Sequence, residues 1–374
     1  MVDALLKLFV EAYHAYSSIN QQTYTCRVHK FQRPDISDVK KYVCPEVFKY
    51  VATHTWSEKQ FDYGFDGVRI KLSVWVTDGA VRLNLEFLLR VLNFFVFTLN
   101  RIRRTKATAV VDVTIICCDI PKVFPDTDKV VLNHTHINSG YAERRGLPPN
   151  DQRRVVVYRV EELLKVLLHE LIHLYDIDFH GYPNKYDKSL MDIYKIEVKK
   201  PWKNRNNPLA LYETYTETLA SYGNIIAHVL FTDKSVKVRT GEAIPWAMIQ
   251  NAVTRRVKRE LAFYKRQVAR IVWFARRHGH YVEDSHVFSY YIVKFALFKH
   301  MHRFKKFMDE GISVGTRVEE YLRMVVDVLE STELHFPISN KTRELKLPKI
   351  PYKEPSRMTN INWPTVFSHS TSNL

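Results

Sequence analysis

Residues 153–175 read RRVVVYRVEELLKVLLHELIHLY and join a strand-like segment to a helix-like one. The run from Arg153 to Arg159 is short and rich in valine, which is typical of a buried strand. Apolar residues then recur at helical spacing from Glu161 through Tyr175, which predicts a helix directly after the strand. Residues four apart lie on one face of a helix, so His169 and His173 can offer two imidazoles to the same point.

The pentapeptide His169-Glu170-Leu171-Ile172-His173 combines this imidazole pair with a carboxylate. Two histidines at this spacing on a helix are a common part of a zinc site. Glu170 lies at the edge of the same face, where its carboxylate can take a proton from a water that the metal activates. The pentapeptide therefore predicts a Zn²⁺ cofactor and a zinc metalloendopeptidase with Glu170 as general base.

A third ligand must come from elsewhere, because catalytic zinc usually has three protein ligands and one open position. The metzincin pattern would place glycine at position 176 and histidine at position 179. This chain instead has Asp176 and Phe179, and His180 is one residue out of register. The metzincin arrangement is therefore a weak option.

The segment from Leu211 to Ala220 resembles the gluzincin arrangement, in which a glutamate binds zinc and an acid one turn later supports a histidine ligand. On that resemblance we expect Glu213 to bind the metal and Glu217 to be the supporting acid. Glu217 is longer than the usual Asp or Asn, so the exchanged roles, with Glu217 as ligand, stay open. A third interpretation makes both residues ordinary carboxylates on a helix surface.

Zincins also commonly use a tyrosine or histidine from outside the metal helix to stabilise the oxyanion of the reaction. Aromatic core packing is the alternative role for every candidate. We select Tyr290 as the catalytic residue of this kind from a set that comprises Tyr215, His228, His286, Tyr290 and Tyr291.

Periodicity before the metal helix predicts a strand, a long helix and three further strands. These are Val68 to Thr77, then the helix Val81 to Arg104, then Ala109 to Cys118, Val130 to Ile137 and Arg153 to Arg159. We expect an α+β, zincin-like fold, with a small twisted mixed sheet and the active-site helix followed by a mainly helical C-terminal subdomain. Val130 to Ile137 is the predicted edge strand for an extended substrate. Its His134 and His136 face either the cleft or the surface.

Composition divides the chain into four parts. Residues 1–60 are predicted to form an N-terminal helix and extension, and residues 61–180 the subdomain with the sheet and the metal helix. Residues 181–330 are predicted to form the helical subdomain that carries the third ligand. Prolines interrupt residues 331–374, which predicts a tail that packs on its own protein, crosses a neighbouring subunit, or acts as an inhibitory strand or a cleavage site.

The net charge of +16 predicts an acidic partner, such as nucleic acid, an anionic surface or an acidic protein. Nine Lys and Arg residues accompany the single acid Glu260 between Arg255 and His280. Apolar residues recur among them at helical spacing, which predicts an amphipathic helix over 255–277 with a basic outer face. That face is either simply solvated or a surface for nucleic acid or virion packing.

Four cysteines without Cys-x-x-Cys spacing favour a reducing, intracellular setting in the cytoplasm or nucleus. The N-terminal run Met1 to Glu11 lacks the basic start of a secretory signal and reads as an amphipathic helix. The most apolar stretch, Leu83 to Leu99, contains Asn84, Glu86, Arg90 and Asn93, so we expect no transmembrane segment.

Several segments resemble a group of uncharacterised metallopeptidase-like proteins of large double-stranded DNA viruses. They are Asn138-Ser139-Gly140, Val157 to Glu162 leading into Lys165 to Glu170, the Glu213/Glu217 segment, and Val287 to Lys294. The resemblance covers roughly residues 108–310 and is specific around the pentapeptide. It implies a viral protein with a protein or peptide substrate that is not established, and packaging in a virion is one option.

The competing hypothesis is a structural or nucleic-acid-associated virion protein that keeps a zincin fold with a mainly structural metal. The net charge and the predicted basic helix 255–277 favour it. Glu170 argues against it, because a structural zinc site has no need of a base.

Overall fold

A computed structural model has a mixed α+β architecture, which confirms the predicted class at that level. It describes residues 3–19, 24–36, 43–77, 82–103, 110–124, 131–145, 152–179, 181–198, 207–233, 236, 245–277, 281–312, 314–332, 357–361, 363 and 367–368. No helix within these ranges combines the length and the apolar character that crossing a bilayer demands.

The described strands are β1 (Cys26–Gln32), β2 (Trp56–Phe65), β3 (Val68–Thr77), β4 (Arg82–Leu83), β5 (Val110–Ile116), β6 (Leu132–Asn133), β7 (Gly140–Arg145), β8 (Gln152–Val157), β9 (Ile196–Val198), β10 (Tyr281–Asp284) and β11 (Phe367–Ser368). The described helices are α1 (Ala4–Ile19), α2 (Pro45–Thr53), α3 (Leu85–Arg103), α4 (His134–Ile137), α5 (Leu163–Leu174), α6 (Lys185–Tyr194), α7 (Leu211–Thr232), α8 (Trp246–Arg277), α9 (Lys294–Lys299), α10 (Met301–Asp309) and α11 (Val318–Glu330). A π-helical turn, Phe288–Val293, leads into α9, and a 3₁₀ turn, Gly315–Arg317, leads into α11.

The main sheet is mixed and has the strand order β1-β2-β3-β5-β8-β7. Strands β3, β5 and β8 are mutually parallel, while β1, β2 and β7 each run antiparallel to a neighbour. A parallel pair needs a crossover connection, and α3 supplies it between β3 and β5. The order leaves β7 at an edge of the main sheet. Strands β6, β10 and β9 form a second, parallel sheet, and β4 pairs with β11.

Strand β3 has the predicted bounds, because its alternating sequence has one apolar face. Val68, Ile70, Leu72 and Val74 are all buried on that face. The strand predicted from Arg153 to Arg159 is confirmed as β8, which ends at Val157, and the helix predicted after it is confirmed as α5. The long helix predicted from residue 81 begins later, at Leu85, because residues 82–83 pair with β11.

The predicted edge strand Val130 to Ile137 is wrong. Val130 lies outside the described residues, and among residues 131–137 only Leu132 and Asn133 form a strand, after which the chain turns into the short helix α4. The Asn133 side chain accepts a hydrogen bond from Thr135 N at 3.0 Å, and Asn133 N donates to His136 Nδ1 at 3.1 Å. This capping of the helix start outweighs the β-propensity of the valines before it. The next edge strand along the chain is instead β7, which begins at Gly140, while β1 forms the other edge of the main sheet.

Other boundaries also differ from the sequence-based division. The limit at 60/61 falls within β2, which joins β1 to the main sheet, so the N-terminal part contributes strands as well as a helix. The basic helix begins at Trp246 rather than at residue 255. The described residues between 181 and 330 are mainly helical, and β9 and β10 lie among them.

Helix α5 lies between the main sheet and α7, in contact with β7 and β8 on one side. Its close packing depends on glycine. A Cβ atom on Gly223 of α7 would lie 2.9 Å from Phe9 Cζ and 3.0 Å from Leu168 Cδ2, so glycine lets α7 approach both α1 and α5. A Cβ atom on Gly140 of β7 would lie 2.8 Å from Val166 Cγ1 and 2.9 Å from the Val156 carbonyl oxygen.

We expect Gly140→Ala to lower the free energy of unfolding by about 1–3 kcal/mol, because the new methyl group overpacks the contact between β7 and α5. One of its neighbours, the Val156 carbonyl, belongs to the backbone of β8 and cannot rotate away. The measurement is chemical denaturation of both proteins.

The matched control is Gly64→Ala in β2, where a Cβ atom would meet no heavy atom within 4 Å. This variant should lose no stability and can gain up to about 1 kcal/mol from the lower entropy of its unfolded chain. Equal stability of the two variants would contradict the close approach of β7 and α5.

Candidate metal centre

Helices α5 and α7 bring three ligand atoms together. His169 Nε2 and His173 Nε2 lie 3.0 Å apart. Glu213 Oε2 lies 3.2 Å from His173 Nε2 and 3.4 Å from His169 Nε2. Ligands held at about 2.0–2.2 Å in a tetrahedral zinc site are roughly 3.3–3.6 Å from one another. The triangle of two imidazoles and one carboxylate is therefore close to the size that such an ion requires.

Each imidazole has a carboxylate behind it. His173 Nδ1 lies 2.7 Å from Asp178 Oδ2, and His169 Nδ1 lies 3.1 Å from Glu217 Oε2. A carboxylate accepts the Nδ1 proton, which leaves the Nε2 atom of a neutral imidazole with an outward lone pair. Two such lone pairs at 3.0 Å repel each other unless a proton or a metal ion lies between them. The arrangement thus favours a cation at the centre of the triangle.

The electrostatics of the cluster point the same way. Burial alone would lower the pKa of His173, but the Glu213 and Asp178 carboxylates outweigh it and raise the pKa well above its ordinary value. Burial alone would raise the pKa of Glu213, but the two histidines outweigh it and lower the pKa well below the ordinary range. These groups attract positive charge, either as a proton or as a metal ion.

Glu217 stands behind His169 and does not point into the triangle. Its Oε1 accepts a hydrogen bond from Lys294 Nζ at 2.8 Å, and its Oε2 accepts one from Lys165 Nζ as well as facing His169. Burial alone would raise the pKa of Glu217, but Lys165 and Lys294 outweigh it and lower the pKa well below the ordinary range. Glu217 is therefore an ionised hydrogen-bond acceptor inside the protein.

Sequence reasoning missed Asp178, Lys165 and Lys294. Lys165 carried a signal, because it interrupts an apolar run four residues before His169 and thus on the same helical face. Asp178 and Lys294 carried none, since their roles depend on contacts made only after folding.

Glu170 lies on the wall of a cavity of about 480 Å³ that opens beside the triangle. Burial raises the pKa of its carboxyl group, although the adjacent His169 and His173 oppose the shift. Residues 140–143 of the edge strand β7 line the same cavity, and so does His134. A substrate in this cavity would meet the edge strand and the Glu170 carboxyl together.

Two of the five oxyanion candidates lie at this cavity. The Tyr290 hydroxyl donates to Glu213 Oε2 at 3.0 Å, and His286 also lines the cavity. Tyr290 belongs to the π-helical turn, a distortion often found at functional sites. The other three lie elsewhere: the Tyr215 hydroxyl donates to the Ile312 carbonyl, Tyr291 packs against Phe124, and His228 packs against Trp363.

The residues of the weak metzincin option have other partners. Asp176 forms ion pairs with Arg103 at 3.2 Å and Arg153 at 3.4 Å, and the Phe179 ring packs against Tyr321. His180 lies outside the described residues.

Within the described ranges, His169, His173 and Glu213 are the single group of three His, Cys, Asp or Glu residues with ligand atoms within 4.8 Å of one another. Comparisons with protein-family models, with curated proteins and with solved structures found no match to this chain.

Proposed function

We propose that this protein is a zinc-dependent metallopeptidase with a zincin-like, gluzincin-type centre. His169, His173 and Glu213 would hold the ion. When bound, the ion would act as a Lewis acid that lowers the pKa of a water molecule and polarises the scissile carbonyl. One observation carries the proposal: the three ligand atoms converge within 3.0–3.4 Å while both imidazole Nδ1 atoms face carboxylates.

The balance of buried charge supports a divalent cation. Four carboxylates meet two ammonium groups here, so neutral imidazoles leave a net charge of minus two if all four acids are ionised. A divalent ion would cancel that charge. The acids are Glu170, Glu213, Glu217 and Asp178, and the bases are Lys165 and Lys294.

Glu170 would take a proton from the attacking water and pass it to the leaving amine. Its raised pKa suits this double task, because a base that must later return the proton works best when its pKa lies near the pH of the reaction. Burial raises the pKa of Tyr290 well above its ordinary value, so its hydroxyl remains a neutral donor. We propose that this hydroxyl turns from Glu213 and donates its proton to the oxyanion that forms on the substrate.

We propose that the substrate is a protein or peptide that binds in an extended form. The edge strand β7 lies along the cavity and pairs only with β8 within the described sheet. An added strand could hydrogen-bond to its open edge, as β-augmentation does in other proteins.

Metal removal tests the proposal on the full chain. The purified protein should contain one zinc ion per chain, and a chelator should remove it together with hydrolysis of an unfolded protein substrate. At zinc concentrations of about 1,000 times the dissociation constant, binding adds about 4 kcal/mol, or about 5 °C in melting temperature for a chain of this length. No bound zinc and an unchanged melting temperature would contradict the metal centre.

One observation favours the alternative, a nucleic-acid-associated protein with a structural metal. Arg255, Lys258, Arg259 and Lys265 on α8 are all exposed. DNA binding that weakens steeply with salt, together with zinc binding and no hydrolysis, would favour a structural role over the peptidase.

A further inference from the structure

Part of the predicted tail packs tightly against the metal helix. We define the C-terminal clasp as residues 357–361 together with Trp363. Arg357 Nε donates to Glu161 Oε1 at 2.7 Å, and Thr359 N donates to Glu162 Oε1 at 2.5 Å. Both glutamates immediately precede α5, so the clasp is tied to the start of the helix that carries the histidines.

The clasp also contacts helices on its other side. Thr359 Oγ1 and Asn360 N donate to Glu260 Oε2 of α8 at 2.7 and 3.0 Å. Trp363 Nε1 donates to Asn224 Oδ1 of α7 at 3.1 Å. Met358, Thr359, Ile361 and Trp363 are each at most 5% exposed. The clasp is therefore packed into the protein interior.

One clasp residue reaches the cations behind the metal centre. The Met358 carbonyl accepts a hydrogen bond from Lys294 Nζ at 2.7 Å, and Met358 Sδ lies 3.3 Å from Lys165 Nζ. The same two ammonium groups bind Glu217, whose Oε2 faces His169 Nδ1. A continuous line of polar contacts thus runs from the clasp through the lysines and Glu217 to the first histidine.

We propose that the C-terminal clasp is a positioning element of the metal centre, acting through Lys294 and Lys165 on Glu217 and hence on His169. This inference rests on the proposed zinc site. An ammonium group has three donors and rotates freely, so it holds a carboxylate in one place only when its other donors are also bound. The Met358 carbonyl supplies that second acceptor for Lys294.

Lys294→Met tests the inference through zinc affinity. Loss of a group that orients a ligand typically costs 10–100-fold in metal affinity, and we expect a loss of that size. The measurement is competition for zinc against a chromogenic chelator, with the Co²⁺ absorption spectrum as a second report on ligand geometry.

Lys305→Met is the control. Lys305 Nζ pairs with Asp3 Oδ2 at 2.8 Å and the lysine side chain is 29% exposed, so its loss also removes a lysine–carboxylate ion pair. Neither Lys305 nor Asp3 belongs to the clasp or lines the cavity, and this variant should keep zinc affinity within about twofold of the wild type. Equal zinc affinity of the two variants would overturn the inference.

A second measurement needs no variant, so it holds even if Lys294→Met fails to fold. The coupling between zinc binding and docking of the clasp is reciprocal. If the docked clasp raises zinc affinity about tenfold, bound zinc must shift the equilibrium between undocked and docked clasp about tenfold toward the docked state. Amide hydrogen exchange in the wild-type chain should therefore slow about tenfold at Thr359 and Asn360 when zinc is added. Protection of α5 without protection of these two amides would overturn the inference.

Neither readout depends on hydrolysis. A chain that binds zinc and shows the coupling, yet cleaves nothing, would keep the clasp inference and overturn the peptidase. A chain that cleaves peptides, with Lys294→Met indistinguishable from wild type in zinc affinity, would overturn the clasp inference alone. Absence of zinc binding in the wild type would overturn both.

Discussion

Glu170→Gln should lower the hydrolysis rate by about 10³-fold while the protein keeps its bound zinc. Glutamine has nearly the same shape as glutamate, but its amide cannot accept and return a proton. The ligand triangle consists of His169, His173 and Glu213 and leaves Glu170 out, so the substitution should not weaken metal binding. Separating turnover from zinc content is what distinguishes a general base from a ligand.

The measurement compares kcat/KM, zinc content and melting temperature for the variant and the wild type. The control is Glu319→Gln, which removes an exposed carboxylate of α11 whose ion pairs with Lys185 and Arg323 lie at the surface. This control should change none of the three quantities appreciably. Unchanged turnover in Glu170→Gln would remove Glu170 from the mechanism, and with it the main argument against a purely structural metal.

The parts of the site that the sequence predicted are those that local geometry determines. His169 and His173 share a face of α5 because four residues complete about one turn, and Glu213 and Glu217 share a face of α7 for the same reason. The bounds of strand β3 could also be predicted from the sequence, because period-two alternation gives the strand one buried face. In each case a short window of sequence contains all the information.

The parts that the sequence did not predict depend on distant contacts or on competing local signals. Val130 to Ile137 has strand-like composition, yet the Asn133 cap turns the chain into α4. Lys294 and Met358 contribute only because folding brings them to Glu217 and Lys165, and 193 residues separate Lys165 from Met358. No periodic pattern could indicate that a proline-containing tail contacts α5.

Glu213→Gln and Glu217→Gln should differ in which property they lose most, and this difference identifies the zinc ligand. Glu213→Gln should weaken zinc binding by more than the 10–100-fold expected of an outer residue, since it removes a ligand atom from the triangle. Glu217→Gln should weaken zinc binding only within that 10–100-fold range, because Glu217 acts through His169.

The free energies of unfolding should rank the two variants in the opposite order, with Glu217→Gln the more destabilised. Glu217 is fully buried and compensates Lys165 and Lys294, so its loss leaves two buried cations and should cost about 3–5 kcal/mol of unfolding free energy. Glu213 faces the histidines, which can lose their protons, so Glu213→Gln in zinc-free protein should be much less destabilised. Zinc competition and chemical denaturation of both zinc-free variants provide the two measurements. If Glu217→Gln lost more zinc affinity than Glu213→Gln, Glu217 would be the ligand, and the lysines would then neutralise a metal-bound carboxylate rather than orient His169.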